Sequence, residues 1–301
     1  MKSKQLLATA LAVTALSVPS LGAHAVGQSP IAENITLETY RGISVDGRLN
    51  ASDPDSTALT YQITTPPIKG EVTLQADGSF VYAPDPSRRG KDYFGYTATD
   101  SDGNVSQEAT VIITLRKQKT NVTYSDLTDS PTHYDAIRLA EEGIFTAQQL
   151  GGEYVFFPDT MISRGEFLAM CVQISQLPIP ASVTSTGFAD DAAIPTWQKP
   201  YIAAALMSGS LPRTSETGSS AFDSTAPITC AQAAVMIDQI FGISAASAAS
   251  LPTTAPDWAA QSVANLIACD ILPANCDPAQ YLNRAMTADM LSAVMDVLEN
   301  R

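Results

Sequence analysis

Three times in the C-terminal part of this chain, one helix-opening pattern follows one apolar helix pattern at a nearly constant distance. The register Ala136, Leu139, Gly143 returns as Ile202, Ala205, Gly209 and again as Val263, Leu266, Asp270. The spacing predicts that a second helix opens at Ser163, Thr229 and Thr287, which lie 27, 27 and 24 residues beyond the first member of each set. The aromatic residues Phe157, Phe222 and Tyr281 precede these openings by six or seven places. A helix-loop-helix unit of about 60 residues cannot bury its own apolar face, so the three copies must pack on one another.

The openings read ISRGEF from Ile162, ITCAQA from Ile228 and MTADML from Met286; upstream stand YSDL at Tyr124, GFADD at Gly187, and Trp197 and Trp258 just before their helices. This pattern resembles the S-layer homology repeat family, with its aromatic-x-Asp start, Trp-led helix, Gly turn and Thr-Arg-Ala-Glu helix opening. The resemblance covers Tyr124 to Arg301, as repeats at 123–178, 185–243 and 251–301. It implies an all-α, pseudo-threefold domain that holds a secreted protein non-covalently to an anionic cell-wall polysaccharide, often a pyruvylated one, at the cell wall or S-layer. It also implies a polymer-contacting arginine at Arg164, where the other two openings carry Cys230 and Ala288.

Ahead of the repeats the period changes from helical to alternating. Asn34–Tyr40, Ile43–Leu49, Leu59–Thr64, Glu71–Leu74, Ser79–Tyr82, Tyr93–Thr99 and Ala109–Leu115 alternate apolar with polar residues and are rich in Val, Ile, Thr, Tyr and Phe. They predict seven short antiparallel strands in a two-sheet sandwich. Asp77-Gly78 predicts a type I′ hairpin turn, and Asp102-Gly103-Asn104 punctuates the last strand pair. The strings ASDPDSTALTYQIT, GEVTLQADGSFVYAP and GKDYFGYTATDSDGNVS resemble bacterial Ig-like or cadherin-like domains over residues 29–117. Lys117 to Asn121 is polar and unpatterned, which predicts a linker at 118–122.

Lys2 and Lys4 precede an uncharged apolar stretch of thirteen residues, Leu6 to Val18, and Ala23-His24-Ala25 offers small residues at a cleavage site. Residues 1–25 therefore read as a secretory signal peptide, giving an exported, soluble mature chain from Val26. Thirteen residues are too short to span a bilayer, which takes about 20, and no later stretch is long enough. The whole sequence has a formal net charge of −14, and losing Lys2 and Lys4 makes it −16. Such acidity argues against nucleic acid and anionic lipid as partners. Most of it lies in the repeats, so an anionic polymer would have to be held by few local donors: Arg138, Arg164, Lys199, Arg213, Arg284 and Arg301.

Ser163 with Glu166 and Thr229 with Gln232 satisfy the capping-box rule and need no ligand to explain them. Arg164 is different, because a cation at the first helical position opposes the helix dipole. It has either a bound carboxylate or phosphate, or an internal partner such as Asp126 or Asp159. Trp197 and Trp258 offer either stacking faces for a sugar ring or closure of a small core, with His133 and Tyr134 in that place in the first repeat. Lys199 is either a second donor to an inter-repeat groove or part of a solvated face. The candidate polysaccharide-binding residues are thus Arg164, Trp197, Lys199 and Trp258, whereas Asp126 and Asp190 read as turn or cap residues. In the sandwich, Asp53, Asp55, Asp100 and Asp102 either serve their turns or share a calcium ion where their loops meet; no other cofactor is expected.

Cys171 follows a helical pattern and reads as a small buried residue. Cys269 and Cys276 enclose a short loop and can be bridged if their Cα atoms approach within about 7 Å. The cysteine spacing fits no zinc pattern. No Ser or Cys nucleophile has a recognisable base, and no phosphate-cradling loop occurs, so the sequence predicts no enzyme. Two classes of function remain. The repeats anchor the chain to a wall glycan and display the sandwich, or the sandwich is an adhesion or carbohydrate-binding module and the repeats are a structural unit or contact other surface proteins.

Overall fold

The computed structural model describes residues 27–56, 58–128, 130–212, 220–244 and 254–300. The signal-like segment 1–25, Arg213 and Arg301 lie outside the described residues. A β-sandwich comes first and an α-helical region follows it, with six α-helices among the described residues.

The strands of the first domain are β1 (Ile31–Ala32), β2 (Ile35–Tyr40), β3 (Val45–Arg48), β4 (Ala51–Ser52), β5 (Thr60–Thr65), β6 (Gly70–Leu74), β7 (Ser79–Pro84), β8 (Gly90–Thr99) and β9 (Ala109–Arg116). One sheet has the order β2-β9-β8-β5 and the other β3-β7-β6, while β1 and β4 form a short separate pair. Alternation decides which side chains meet between the sheets. Phe80 and Tyr82 of β7 point inward, as do Ala109, Val111, Ile113 and Leu115 of β9. Phe80 and Phe94 pack edge to face with ring centroids 5.2 Å apart.

Two local expectations fail here. β2 runs parallel to β9, with Ile35 opposite Val111 and Tyr40 opposite Arg116. Turn geometry fixes strand direction only within hairpins, and β2 and β9 are joined through the whole domain rather than by a turn. The Asp77-Gly78 hairpin is not the expected type I′ turn, because only Gly78 has a positive φ, +86°. Its N–H donates to the Gln75 carbonyl at 3.1 Å, and Asp77 accepts the Ser79 N–H at 3.0 Å instead of entering the left-handed region itself.

The helical region contains α1 (His133–Glu141), the hairpin strands β10 (Gln148–Leu150) and β11 (Glu153–Val155), then α2 (Arg164–Ser175), α3 (Lys199–Met207), α4 (Cys230–Phe241), α5 (Ala260–Ala268) and α6 (Arg284–Glu299). Ala136, Leu139, Ile202, Ala205, Val263 and Leu266 are all buried, so the repeated register is the core-facing stripe. Gly143, Gly209 and Asp270 all take left-handed conformations that end α1, α3 and α5. Ser163 with Glu166 and Thr229 with Gln232 form reciprocal capping boxes on α2 and α4. α6 departs from expectation. It opens at Arg284 behind Asn283, whose side chain accepts the Met286 N–H at 2.9 Å, and Thr287 is buried inside it. Asparagine caps as well as serine, so the helix begins a turn earlier. The counterpart of Arg164 in the third unit is therefore Arg284, not Ala288.

The three second helices start on one another in a closed circuit. The Ile162 N–H donates to the Leu282 carbonyl at 3.0 Å, Leu282 to Ile228 at 3.0 Å, and Ile228 back to Ile162 at 3.1 Å. The next two N–H groups of each helix, which helix geometry leaves without partners, donate to a neighbouring loop. Arg164 and Gly165 reach Ala226 and Ser224; Cys230 and Ala231 reach Gln280 and Pro278; Arg284 and Ala285 reach Thr160 and Pro158. First helices pack on the second helix of the preceding unit, α3 on α2, α5 on α4, and α1 on α6. The last contact joins the two ends of the helical region. Arg138, buried in α1, holds it by donating to the Ser292 carbonyl and hydroxyl, to Asp296 at 2.6 Å and to Glu299 at 3.0 Å.

The sandwich docks on this ring. Tyr40 and Ile43 join the helical core, and the Tyr40 and Tyr134 rings lie 5.7 Å apart. The expected free linker is tied down, since Glu141 at the end of α1 accepts the Lys119 and Thr120 N–H groups and the Thr120 hydroxyl. A cavity at the junction, about 670 Å³, is lined by Asp46 and Arg116 of the sandwich and by Asp135, Arg138, Asp289 and Asp296 of the helices. Burial raises the Asp135 carboxyl to about 8, with the Asp289 charge adding to the rise; desolvation also raises Asp289, against a hydrogen bond with Asp135 that lowers it.

Removing the Arg138 clamp by Arg138→Ala is expected to lower stability by about 2 kcal/mol, through lost charge-assisted hydrogen bonds, in denaturant unfolding of the whole chain. The raised carboxyls set a pH dependence. An unfolded Asp135 ionises near 3.8, while the folded one keeps its proton to higher pH, so this group's stabilisation is full in acid and declines as pH rises through that interval. Asp135→Asn should flatten that decline when unfolding is followed against pH.

Candidate functional site

Each second helix begins in a seam against the loop of a neighbouring unit, and the side chain at its first position fills that seam. Arg164 donates through Nε to the Phe222 carbonyl at 3.1 Å and lies over the Phe222 ring, 5.3 Å from its centroid. Arg284 donates through Nη1 to the Phe156 carbonyl at 2.8 Å and lies 5.4 Å from the centroid of Phe145. A carbonyl dipole and an aromatic face both attract a guanidinium, which offsets the opposing helix dipole. The residues whose carbonyls receive the arginines are Phe156 and Phe222, one place off the expected Phe157 in the first unit; Phe157 instead takes a left-handed φ of 55° at the surface. Asp126 accepts the Phe156 and Phe157 N–H groups, and Asp190 accepts those of Phe222 and Asp223, so these aspartates shape the two loops that carry the seam aromatics.

The seams are not equally open. Around Arg164 a groove of about 290 Å³ is lined by Phe188, Phe222, Gln232, Gln239 and Trp258. The corresponding space at Arg284 is about 10 Å³. Phe145 occupies it, whereas the residue at the same distance from its helix start in the second unit is the smaller Leu211. A groove with one guanidinium, two glutamine amides and an exposed indole face can hydrogen-bond carboxylate and hydroxyl groups and stack on an apolar ring face.

Of the four candidates, the structure brings together Arg164 and Trp258. Trp258 is 44 % exposed, and Trp197 is 54 % exposed with its ring 6.3 Å from Tyr201, so neither closes a core. Trp197 does not line the groove. Lys199 is also elsewhere, bound to Asp191 at 2.7 Å and to the Thr184 carbonyl at 3.2 Å. That ammonium, with the Thr186 N–H and hydroxyl, holds the Asp191 carboxyl down to about 2. Arg284 stands among the basic residues the sequence singles out, but its place at the opening of α6 is not read there, and Gln239 is not marked at all. Aligning Leu282-Asn283-Arg284-Ala285 with Ile162-Ser163-Arg164-Gly165 finds the arginine; nothing local to Gln239 marks it.

In the sandwich the two acidic loops do meet. Oxygens of Asp53, Asp55 and Asp100 all lie within 4.8 Å of one another, while Asp102 stands outside the group. Asp100 is engaged in its turn, accepting from the Asp102 and Asn104 N–H groups and the Asn104 amide. Asp53 accepts the Asp55 and Ser56 N–H groups through Oδ1, and its Oδ2 is buried with no hydrogen-bond partner. The neighbouring Asp53 carboxylate raises Asp55. An orphaned acceptor among three carboxylates fits a hard divalent cation.

Residues 28–117 match the family described as bacterial cadherin-like domain. That domain is followed by the helical region, and the match ends before it. Among solved structures, the human desmocollin-1 ectodomain is 21 % identical over 29 % of this chain and 20 % of that one, with a TM-score of 0.23. A SusE-like surface located polysaccharide binding protein from Bacteroides thetaiotaomicron is 18 % identical over 33 % and 16 %, with a TM-score of 0.24. The SrpA adhesin from Streptococcus sanguinis is 17 % identical over 32 % and 65 %, with a TM-score of 0.23. The chain spans about a fifth of the length of the first two structures it matches. No curated protein matches it. No helix among the described residues is long and apolar enough to cross a membrane.

Millimolar calcium is expected to raise the thermal midpoint of the whole protein by a few degrees, since binding to the folded state alone is stabilising. Asp53→Asn should remove the increment and leave the midpoint without calcium close to that of the parent, as read by circular dichroism.

Proposed function

We propose that this is a non-enzymatic surface protein whose helical region is a three-repeat S-layer homology domain, attaching non-covalently to an anionic cell-wall polysaccharide and displaying the cadherin-like sandwich. The observation that carries the reading is the Arg164, Phe222 and Trp258 groove at a seam of a closed three-unit ring. A ring of this kind turns three helix pairs into three inter-unit seams, and one of them combines a cation, amides and a stacking face. Acidic sugar substituents would meet Arg164, and a ring face would lie on Trp258. The surrounding acidity leaves the attraction local, so binding depends on contact geometry rather than on a long-range field. Export by the N-terminal signal would bring the chain to the wall.

A second reading places binding in the sandwich, as an adhesion or carbohydrate-binding module, and the Asp53, Asp55 and Asp100 cluster together with the bacterial cadherin-like match favours it. Co-sedimentation of the full mature chain with purified cell wall separates the two. Trp258→Ala, which removes a stacking face, and Leu211→Phe, which fills the groove as Phe145 fills its own seam, should each weaken sedimentation about tenfold. Retention equal to the parent in both variants, with loss in Asp53→Asn, would move the binding function to the sandwich.

A further inference from the structure

Two of the three seams are filled by an arginine and a phenylalanine, and the third is filled by two cysteines. Cys230 occupies the position of Arg164 and Arg284, first in its helix and donating its N–H to the Gln280 carbonyl at 2.8 Å. Cys276 precedes Leu282 by six residues, as Phe156 precedes Ile162 and Phe222 precedes Ile228, so it occupies the aromatic position. The geometry that carries an arginine Nε or Nη1 onto a phenylalanine backbone in the other seams carries Cys230 onto Cys276 here. The two thiols interact directly across the seam, and both side chains pack in the helical core. Cys276 thus faces Cys230 rather than Cys269, which lines a separate groove with Ala293 and Val297.

We infer that Cys230 and Cys276 form a disulfide that locks the second unit to the third across the seam lacking an arginine. All four cysteines are free thiols in the structure described here. The oxidant is a small-molecule or protein disulfide of the exporting compartment. Cys276, the more exposed of the pair, attacks it as thiolate and releases one oxidant thiol; Cys230 then attacks Cys276 Sγ and releases the second. Two electrons pass from the cysteine sulfurs to the oxidant, and the two cysteine protons end on its two thiols. Burial raises both thiols, Cys230 to about 12, so exchange is slow at neutral pH and quickens as pH rises. The inference stands on seam geometry and does not need the polysaccharide reading.

The test treats the full mature chain with glutathione disulfide, alkylates it under denaturing conditions, and maps the peptides by mass spectrometry. A Cys230–Cys276 linked peptide is expected in the parent and in Cys269→Ala, together with a thermal midpoint higher by on the order of 5 °C that dithiothreitol reverses. Alkylation of all four cysteines after prolonged oxidation at pH 8.5, or a Cys269–Cys276 linked peptide in their place, overturns the pairing. A mapped Cys230–Cys276 bridge with an unchanged midpoint overturns its locking role.

Discussion

The helical region depends on three backbone hydrogen bonds at its centre, where Ile162, Leu282 and Ile228 each donate to the next. A helix start leaves N–H groups without partners, and burying such groups unpaired costs about 1–3 kcal/mol each. The circuit solves that problem for three helices together, because each chain segment entering its helix supplies acceptors to a neighbour. None of the three units can close it alone. The arrangement also dictates why the first helices pack on the preceding unit, and why α1 must meet α6: a ring has no free end, so the first and last helices are neighbours. Arg138, Asp296 and Glu299 stand at that closure.

Once the circuit is fixed, the chemistry of each seam is decided by two positions. The first helical residue points across the seam, and the residue six before the central apolar one receives it. Arginine donating to a phenylalanine carbonyl gives a cation held against an aromatic ring in two seams, Phe222 for Arg164 and Phe145 for Arg284; cysteine on cysteine gives a neutral, smaller contact in the third. A third position then sets access. Phe145 closes the Arg284 seam and Leu211 leaves the Arg164 seam open. A difference of one aromatic ring in this place separates a packed core from a groove that can receive a ligand.

Much of this was legible in the sequence, for identifiable reasons. Alternation at period two marked the strands of the sandwich, and the core stripe Ala136, Leu139, Ile202, Ala205, Val263, Leu266 was found because burial leaves a periodic trace. The Ser163 and Thr229 boxes were found because capping is local. What failed was non-local or ambiguous. The direction of β2 against β9 is set by the fold and not by a turn. Spacing favours Thr287 as the opening of α6, because Asn283 stands only 20 residues beyond Val263 against 27 in the other two units; Asn283 nevertheless caps equally well and starts the helix. The exposure of Trp197, the binding of Lys199 by Asp191, and the Cys230–Cys276 contact all depend on which surfaces the ring brings together, and a single unit carries no record of them.

The junction between the two domains changes what the sandwich can be. A tethered module would need an extended, unengaged linker, but here Glu141 accepts the linker amides and Tyr40 and Ile43 extend the helical core. Its carboxyl is raised by burial and lowered further by the Thr120 hydroxyl and the Lys119 and Thr120 amides, for a net fall, so it stays charged and holds the linker until strongly acid conditions. The sandwich therefore meets the ring over a cavity that its Asp46 lines together with Asp135 and Asp289. Taken with the proposed surface role, orientation of this kind matters, because a binding face held by an engaged junction loses less freedom when it meets its partner than one on a flexible stalk. The same junction ties the sandwich to α1, and α1 is the helix that closes the ring against α6.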